Sequence, residues 1–254
     1  MAVHPAASDG YAVAGSDYEQ ARPAYPAEAI DLLCTELDLG PASLVVELGA
    51  GTGKLTRLLA PTVGVLVATE PVEAMRAELA SAVSTPVVAA TAEALPFADG
   101  AVDAVTVAQA FHWFDADRAF AELGRVLRPG GRLGLVWNAR DRAVDWVDKV
   151  WAIMDRVERR APWRDHANWR EAALGDRPSF GPLHAVTFRH EHPTTPEGVV
   201  DRMRAVSHVA ALPPPEQARV LDEVRELLAV HPETKGREEL RIPYRVDCFW
   251  TERR

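Results

Sequence analysis

Gly49, Gly51 and Gly53, at alternate positions in the run ELGAGTGKL, follow an apolar pentapeptide and open a helical stretch. Glycine in such a place permits a sharp turn and lets a ligand lie against the backbone. The spacing is G-x-G-x-G, a poorer match to a dinucleotide pyrophosphate than G-x-G-x-x-G, and no G-x-x-x-x-G-K-[ST] phosphate loop is present. Glu70 closes the next apolar run. An acid there can accept hydrogen bonds from both hydroxyls of a ribose, at roughly 1.5–3 kcal/mol for each bond to a charged acceptor. The plainer reading of Glu70 is a strand-end acid facing water; its place one strand after the glycine turn favours the ribose.

A second constellation is AQAFHWF, in which His112 and Trp113 follow Gln109 at the end of another apolar run. His112 titrates near neutral pH, so it reads either as a base or hydrogen-bond donor to a substrate, or as a structural histidine shaping the loop. Trp137 and Asn138 end a later apolar run and are the members of a tryptophan-rich stretch best placed to face the same site. Trp146, Trp151, Trp163 and Trp169 would wall an apolar pocket or, more plainly, pack a helix onto the sheet. His166, His184, His190 and His192 lie on polar segments and read as exposed. No His/Cys/Asp cluster has metal-ligand spacing. Cys34 and Cys248 make no disulfide framework, which suits a reducing cytoplasm.

These residues need elements to hold them at one edge. LVVEL (44–48), VGVLVATE (63–70), TPVVAAT (85–91), VDAVTVAQ (102–109) and GRLGLVWN (131–138) read as buried strands, separated by helical patterns at 53–60, 71–83 and from the Asp115 cap to Pro129-Gly130-Gly131. The alternation predicts an α/β fold, a doubly wound, mostly parallel sheet whose ligand sits at the carboxyl ends of the strands. Residues 1–43 hold a turn-rich segment and a helix, residues 139–182 a helical cap with the stripe Val147, Val150, Trp151, Met154 and Val157, and residues 183–254 a tail. That tail has strands at about 184–191 and 242–250 and helices at about 196–210 and 214–229. The expected organisation is a single domain with a binding core at 44–138.

The chain has 254 residues, 48% of them hydrophobic, enough for a substantial core. Its formal net charge of −9 disfavours a surface that tracks nucleic-acid phosphates. The first residues lack a charged region followed by an apolar one, and no apolar run approaches the ~20 residues of a membrane span. A cytoplasmic protein, monomeric or homodimeric, without membrane or nucleic-acid partner, is expected.

Four blocks in order, ELGAGTGKLTRLL, VLVATEPVEAM, AATAEALPFADGAVDAVTVAQAFHWF and AELGRVLRPGGRLGLVWN, resemble the class I S-adenosylmethionine-dependent methyltransferases, and most of all the branch similar to trans-aconitate methyltransferase. The resemblance covers about residues 18–138 and implies a Rossmann-like seven-stranded sheet with a helical N-terminal lid and a cap insertion. It implies that Gly49, Ala50, Gly51 and Gly53 line the methionine part of the cofactor S-adenosylmethionine, which leaves as S-adenosylhomocysteine. Glu70 would hold the ribose, and Pro71 and Met75 would flank the adenine. Ala92 and Glu93 would lie beside its amino edge, and Gln109 under the sulfonium. Tyr18 and Arg22 would close over the cofactor. Relatives often carry Asp where this chain has Thr91, so the resemblance does not carry over an adenine contact from that side chain, though the backbone there could still serve. The implied function is methyl transfer to O, N or C of a small-molecule acceptor, with His112, Trp113, Trp137 and Asn138 on the acceptor side. The alternatives are a protein or RNA methyltransferase, and a protein of this fold that binds the cofactor without transferring methyl, as a recruited cyclase or regulatory binder. A nicotinamide dehydrogenase fits least.

Overall fold

The computed structural model describes residues 23–158, 175 and 177–254. One seven-stranded sheet dominates: β1 (Leu44–Leu48), β2 (Val65–Thr69), β3 (Val87–Val88), β4 (Val102–Ala108), β5 (Leu127–Arg140), β6 (His184–Thr194) and β7 (Leu240–Glu252), in the order β3-β2-β1-β4-β5-β7-β6. The first five strands run parallel, and β7 lies antiparallel between β5 and β6. The order reverses between β1 and β4, the place where such sheets open a crevice at their carboxyl ends.

Alternation along the strands sends side chains to two layers. Val46, Leu48, Val105, Val107, Leu133 and Leu135 pack with Ala119, Phe120, Leu123 and Val126 of helix α4 (Ala116–Val126). Val45, Ala104, Val136, Val246 and Cys248 meet helices α1 (Ala27–Glu36) and α2 (Lys54–Leu59) on the other face. Helix α3 (Glu73–Ala82) follows β2 and buries Met75 and Leu79.

A further layer is built from α5 (Asp145–Glu158), α6 (Pro196–Arg204), α7 (Ser207–Ala210) and α8 (Pro214–Val230). Trp146, Val147, Val150, Trp151 and Met154 pack there against Val199, Met203, Val224, Ile242 and Tyr244. Trp146 and Trp151 are therefore core residues of the cap, as the plainer reading has it. Trp163, Trp169 and His166 lie outside the described residues.

Three differences from the sequence reading have a clear physical reason. The third strand keeps only two residues, because after Val88 the chain leaves β2 and closes a small turn with a bridge between Thr91 and Ala94. The fifth strand begins at Leu127, so α4 ends before Pro129-Gly130-Gly131 rather than at it, and the register against β4 shifts between Val102 and Ala104 where that tripeptide is absorbed. The helix expected over 196–210 is two, α6 and α7, with Thr195 capping the first by accepting from Gly198 N at 3.0 Å. Among the described residues no helix is long and apolar enough to cross a membrane.

Candidate active site

The glycine turn joins β1 to α2, and Gly49, Gly51 and Gly53 all have positive φ, at 62°, 59° and 86°. L side chains reach that region only at a cost. At Gly49 space is also closed: a Cβ would stand 2.7 Å from Cβ of Ala110, so the turn is pressed against the loop after β4. At Gly51 a Cβ would meet only the flexible end of Met75, at 3.5 Å. The turn thus lies hard against the protein on one side and leaves a cradle on the other. Ala50 N donates to Thr69 O at 3.0 Å, fixing the turn to the end of β2.

Glu70 follows directly and is 4% exposed, so a solvated acid is not what the structure holds. Its Oε2 accepts from Gly51 N at 3.0 Å and its Oε1 from Val72 N at 2.9 Å. Arg76 donates to the carbonyls of Glu70 and Pro71, both at 3.0 Å. Burial pushes the Glu70 carboxyl above its ordinary pKa; the two N–H donors and the Arg76 charge pull the other way and do not overcome it.

Glu47, inside β1, is a residue the sequence reading passed over, although an acid within the apolar run LVVEL was its signal. It is 1% exposed. Oε2 accepts from the Thr56 hydroxyl at 2.7 Å, and Oε1 is buried without a hydrogen-bond partner among the described residues. Burial pushes its pKa up to about 8, with a smaller upward push from Glu70 and downward pulls from Thr56 and Arg57. The folded chain therefore keeps a proton that the unfolded chain releases near 4.5. Stability should fall between those two values, by on the order of 1.4 kcal/mol per pH unit, and level off above the upper one. Urea denaturation across that range is expected to show Glu47→Gln with a flatter profile than the parent. Parallel profiles would refute a protonated Glu47.

Gln109 directly follows β4 with φ 57°, in the left-handed region although it is not glycine. Such backbone persists only where surroundings hold it. Its N–H donates to Val136 O at 3.1 Å and its Nε2 to Asn138 O at 3.2 Å. Asn138 in turn donates through Nδ2 to the carbonyls of Pro23 and Ala24, at 3.3 and 3.4 Å, and its Oδ1 is buried without a partner among the described residues. The end of β5 thereby ties the loop after β4 to the start of the described chain. Tyr18 and Arg22, expected to close over this place, lie outside the described residues.

His112 sits in a single 3₁₀ turn, Phe111–Trp113, half-buried, with its ring 4.7 Å from that of Trp113 and 6.0 Å from that of Trp137. Phe111 anchors the turn in the core beside Phe114 and Phe120. Ala92 is buried, and Glu93 accepts through Oε1 from Asp115 N at 2.9 Å, joining the loop after β3 to the cap of α4. Arg125 fastens the same loop, donating to the carbonyls of Leu95 and Phe97 and to Asp99 and Glu122. The structure thus brings the glycine turn, Glu70 and Met75 together. It sets Gln109 against Asn138 and His112 against Trp113 and Trp137, all at the carboxyl ends of β1, β2, β4 and β5.

Comparison with known proteins gives one picture. Residues 46–135 match the family described as a methyltransferase domain. An uncharacterized methyltransferase of Mycobacterium tuberculosis is 40% identical over 232 residues, which is 91% of this chain and 90% of that one. An uncharacterized methyltransferase-like protein of Schizosaccharomyces pombe is 35% identical over 243 residues, 94% and 93% of the two chains. A solved structure proposed as a type II methyltransferase from Anaeromyxobacter dehalogenans superposes with a TM-score of 0.65 at 25% identity, covering 91% of this chain and 97% of that one.

Proposed function

As the chain belongs to the class I S-adenosylmethionine-dependent methyltransferases, we propose that it moves the methyl group to O, N or C of a small-molecule acceptor by in-line displacement. The observation that supports this most is the buried Glu70 carboxylate, set one strand from a glycine turn whose outer side is open at Gly51. The residues present fit the cofactor: a cradle that a Cβ on Gly51 would enter, and a carboxylate with lone pairs left for two hydroxyls. When bound, the cofactor supplies a methyl group activated by its sulfonium.

In this reading the backbone of Gly49, Ala50, Gly51 and Gly53 receives the methionine end and Glu70 the ribose. Pro71, Met75, Ala92 and Glu93 surround the base. Gln109, held by its hydrogen bond to Asn138, presents the rim of the crevice beneath the reacting centre. Tyr18 and Arg22 cover the cofactor from the N-terminal side. Trp113, Trp137 and Asn138 wall the acceptor side, where excluding water and aligning the nucleophile supply most of the rate, up to ~7–11 kcal/mol. His112 donates to the acceptor or takes its proton, worth about 10²–10⁴-fold for a nucleophile that starts protonated.

Incubation with methyl-labelled cofactor and fractionated cell extract tests the acceptor class. Label is expected in low-mass products, with S-adenosylhomocysteine formed in step, and His112→Ala is expected to slow it. Label confined to protein or RNA would overturn the small-molecule reading, cofactor binding without any transfer would favour a binder, and full turnover by His112→Ala would remove that residue from catalysis.

A further inference from the structure

The carboxyl end of the sheet carries a second set of polar groups that the cofactor site does not use. Arg140 of β5 stands opposite Tyr244 of β7, which stands opposite His190 of β6, so the three side chains leave one face of the sheet together. His192, opposite Ile242, is on the same face. That face meets the cap, since Ile242 and Tyr244 pack with Trp151, Val199 and Met203. Both His190 and His192 are half-buried there, where the sequence reading has them exposed.

Two residues of the helices packed on that face, α6 and α7, complete the set. Arg202 of α6 has Nε and Nη1 buried, and among the described residues neither has a hydrogen-bond partner. Nε2 of the buried His208, on α7, and Oη of Tyr244 are in the same condition. Arg140 lies with its guanidinium 4.9 Å from the centre of the Trp151 ring. Burial and then the charges of Arg140 and Arg202 hold His208 down to about 4 against an upward pull from Asp155. Burial, Lys54, His190 and Arg202 hold His192 below its ordinary value. Among the described residues Asp155 is the acid that acts on His208, and Arg142 already engages it at 2.7 Å. Lys54 is the residue after Gly53, which sets the cluster beside the glycine turn.

Buried polar groups are satisfied almost without exception, so the buried Nε and Nη1 of Arg202 call for an acceptor. A planar fork of N–H donors matches a carboxylate or phosphate in two-point contact, and charge-assisted bonds of that kind are the strong ones. We propose that Arg202, Arg140 and the Tyr244 hydroxyl form an anion-binding subsite of the acceptor pocket, and that the methyl acceptor is a small molecule bearing a carboxylate or phosphate group held there. This rests on the small-molecule reading above, and it adds what the acceptor must carry.

The test is calorimetry on the full chain saturated with S-adenosylhomocysteine, using succinate and inorganic phosphate as probes, with glycerol as the neutral control. Parent protein is expected to bind one or both anions and not glycerol, and the preferred probe tells carboxylate from phosphate. Arg202→Met is expected to weaken that binding at least about tenfold while S-adenosylhomocysteine affinity stays the same. Tyr244→Phe, which deletes a single oxygen, should weaken it less. A structural role for Arg202 would make the methionine variant less stable; relief of an unpaired buried charge makes it as stable as the parent or more so in urea. Should that variant not fold, Arg202→Lys keeps the charge and loses the fork, and the same weakening is expected. No anion binding by the parent, or equal binding by the variants, would overturn the subsite. Absence of S-adenosylhomocysteine binding would instead strike at the cofactor assignment, so the two failures are told apart.

Discussion

Glu70→Ala is expected to weaken S-adenosylhomocysteine binding by about 10²–10⁴-fold, since two hydrogen bonds to a charged acceptor at roughly 1.5–3 kcal/mol each are lost together. The carboxylate does more than face the ligand. Its Oε2 holds Gly51 N and its Oε1 holds Val72 N, so its removal also leaves two N–H groups of the turn region without their acceptor. Glu70→Gln separates the two contributions. The amide oxygen can still accept from one N–H, but the charge is gone and its NH₂ group faces the other donor. Titration calorimetry should therefore rank parent, then Gln, then Ala. An alanine variant that binds like the parent would show that the crevice at β1 and β2 is not where the ribose goes.

Gly49→Ala should lower stability by about 2–5 kcal/mol. The left-handed backbone at φ 62° costs an alanine about 1–2 kcal/mol, and forcing a methyl into packed space adds typically 1–3 kcal/mol. The contact that decides this is Cβ of Ala110, 2.7 Å from the added carbon, and that methyl, fixed directly to the backbone, has no torsion by which to swing aside. Gly51→Ala is the comparison. Its φ is nearly the same, 59°, yet the added carbon meets only the end of Met75 at 3.5 Å. It should lose only the backbone part, about 1–2 kcal/mol, while its methyl projects into the cradle and impairs the cofactor. Urea midpoints with equal losses for the two variants would contradict the clash at Ala110.

The contrast between these glycines marks what local sequence carries and what it does not. The strand-turn-helix unit at 44–59 was legible because an apolar run, three glycines and a leucine stripe are all neighbours in the chain. The same holds for Glu70 at the end of β2 and for α4 with its Asp115 cap. Which glycine is pressed against Ala110 was not legible, since that contact joins residues some sixty positions apart. Nor was the tie from Asn138 to Pro23 and Ala24, which spans 115 and 114 positions. His190 and His192 looked exposed because polar residues dominate the segment HAVTFRHEHPT; what sets them beside Tyr244 and Ile242 is the register of β6 on β7. Glu47 was hidden by its own strand, as an acid in an apolar run reads as its end.

The position of β7 bears on how the chain assembles. Its residues leave the ribosome after every other described element, yet it occupies the place between β5 and β6, and Arg132 of β5 pairs with Glu252 across 120 positions. Until 240–252 emerges, the nascent chain presents the open backbone edge of β5 to its surroundings, with β6 unpaired. Closing contacts of such separation is slow, and an open edge is a template for pairing with other chains. The interval between synthesis of β5 and arrival of β7 is therefore when pairing with other chains is least hindered, and slower translation of residues 141–252 would lengthen that exposure.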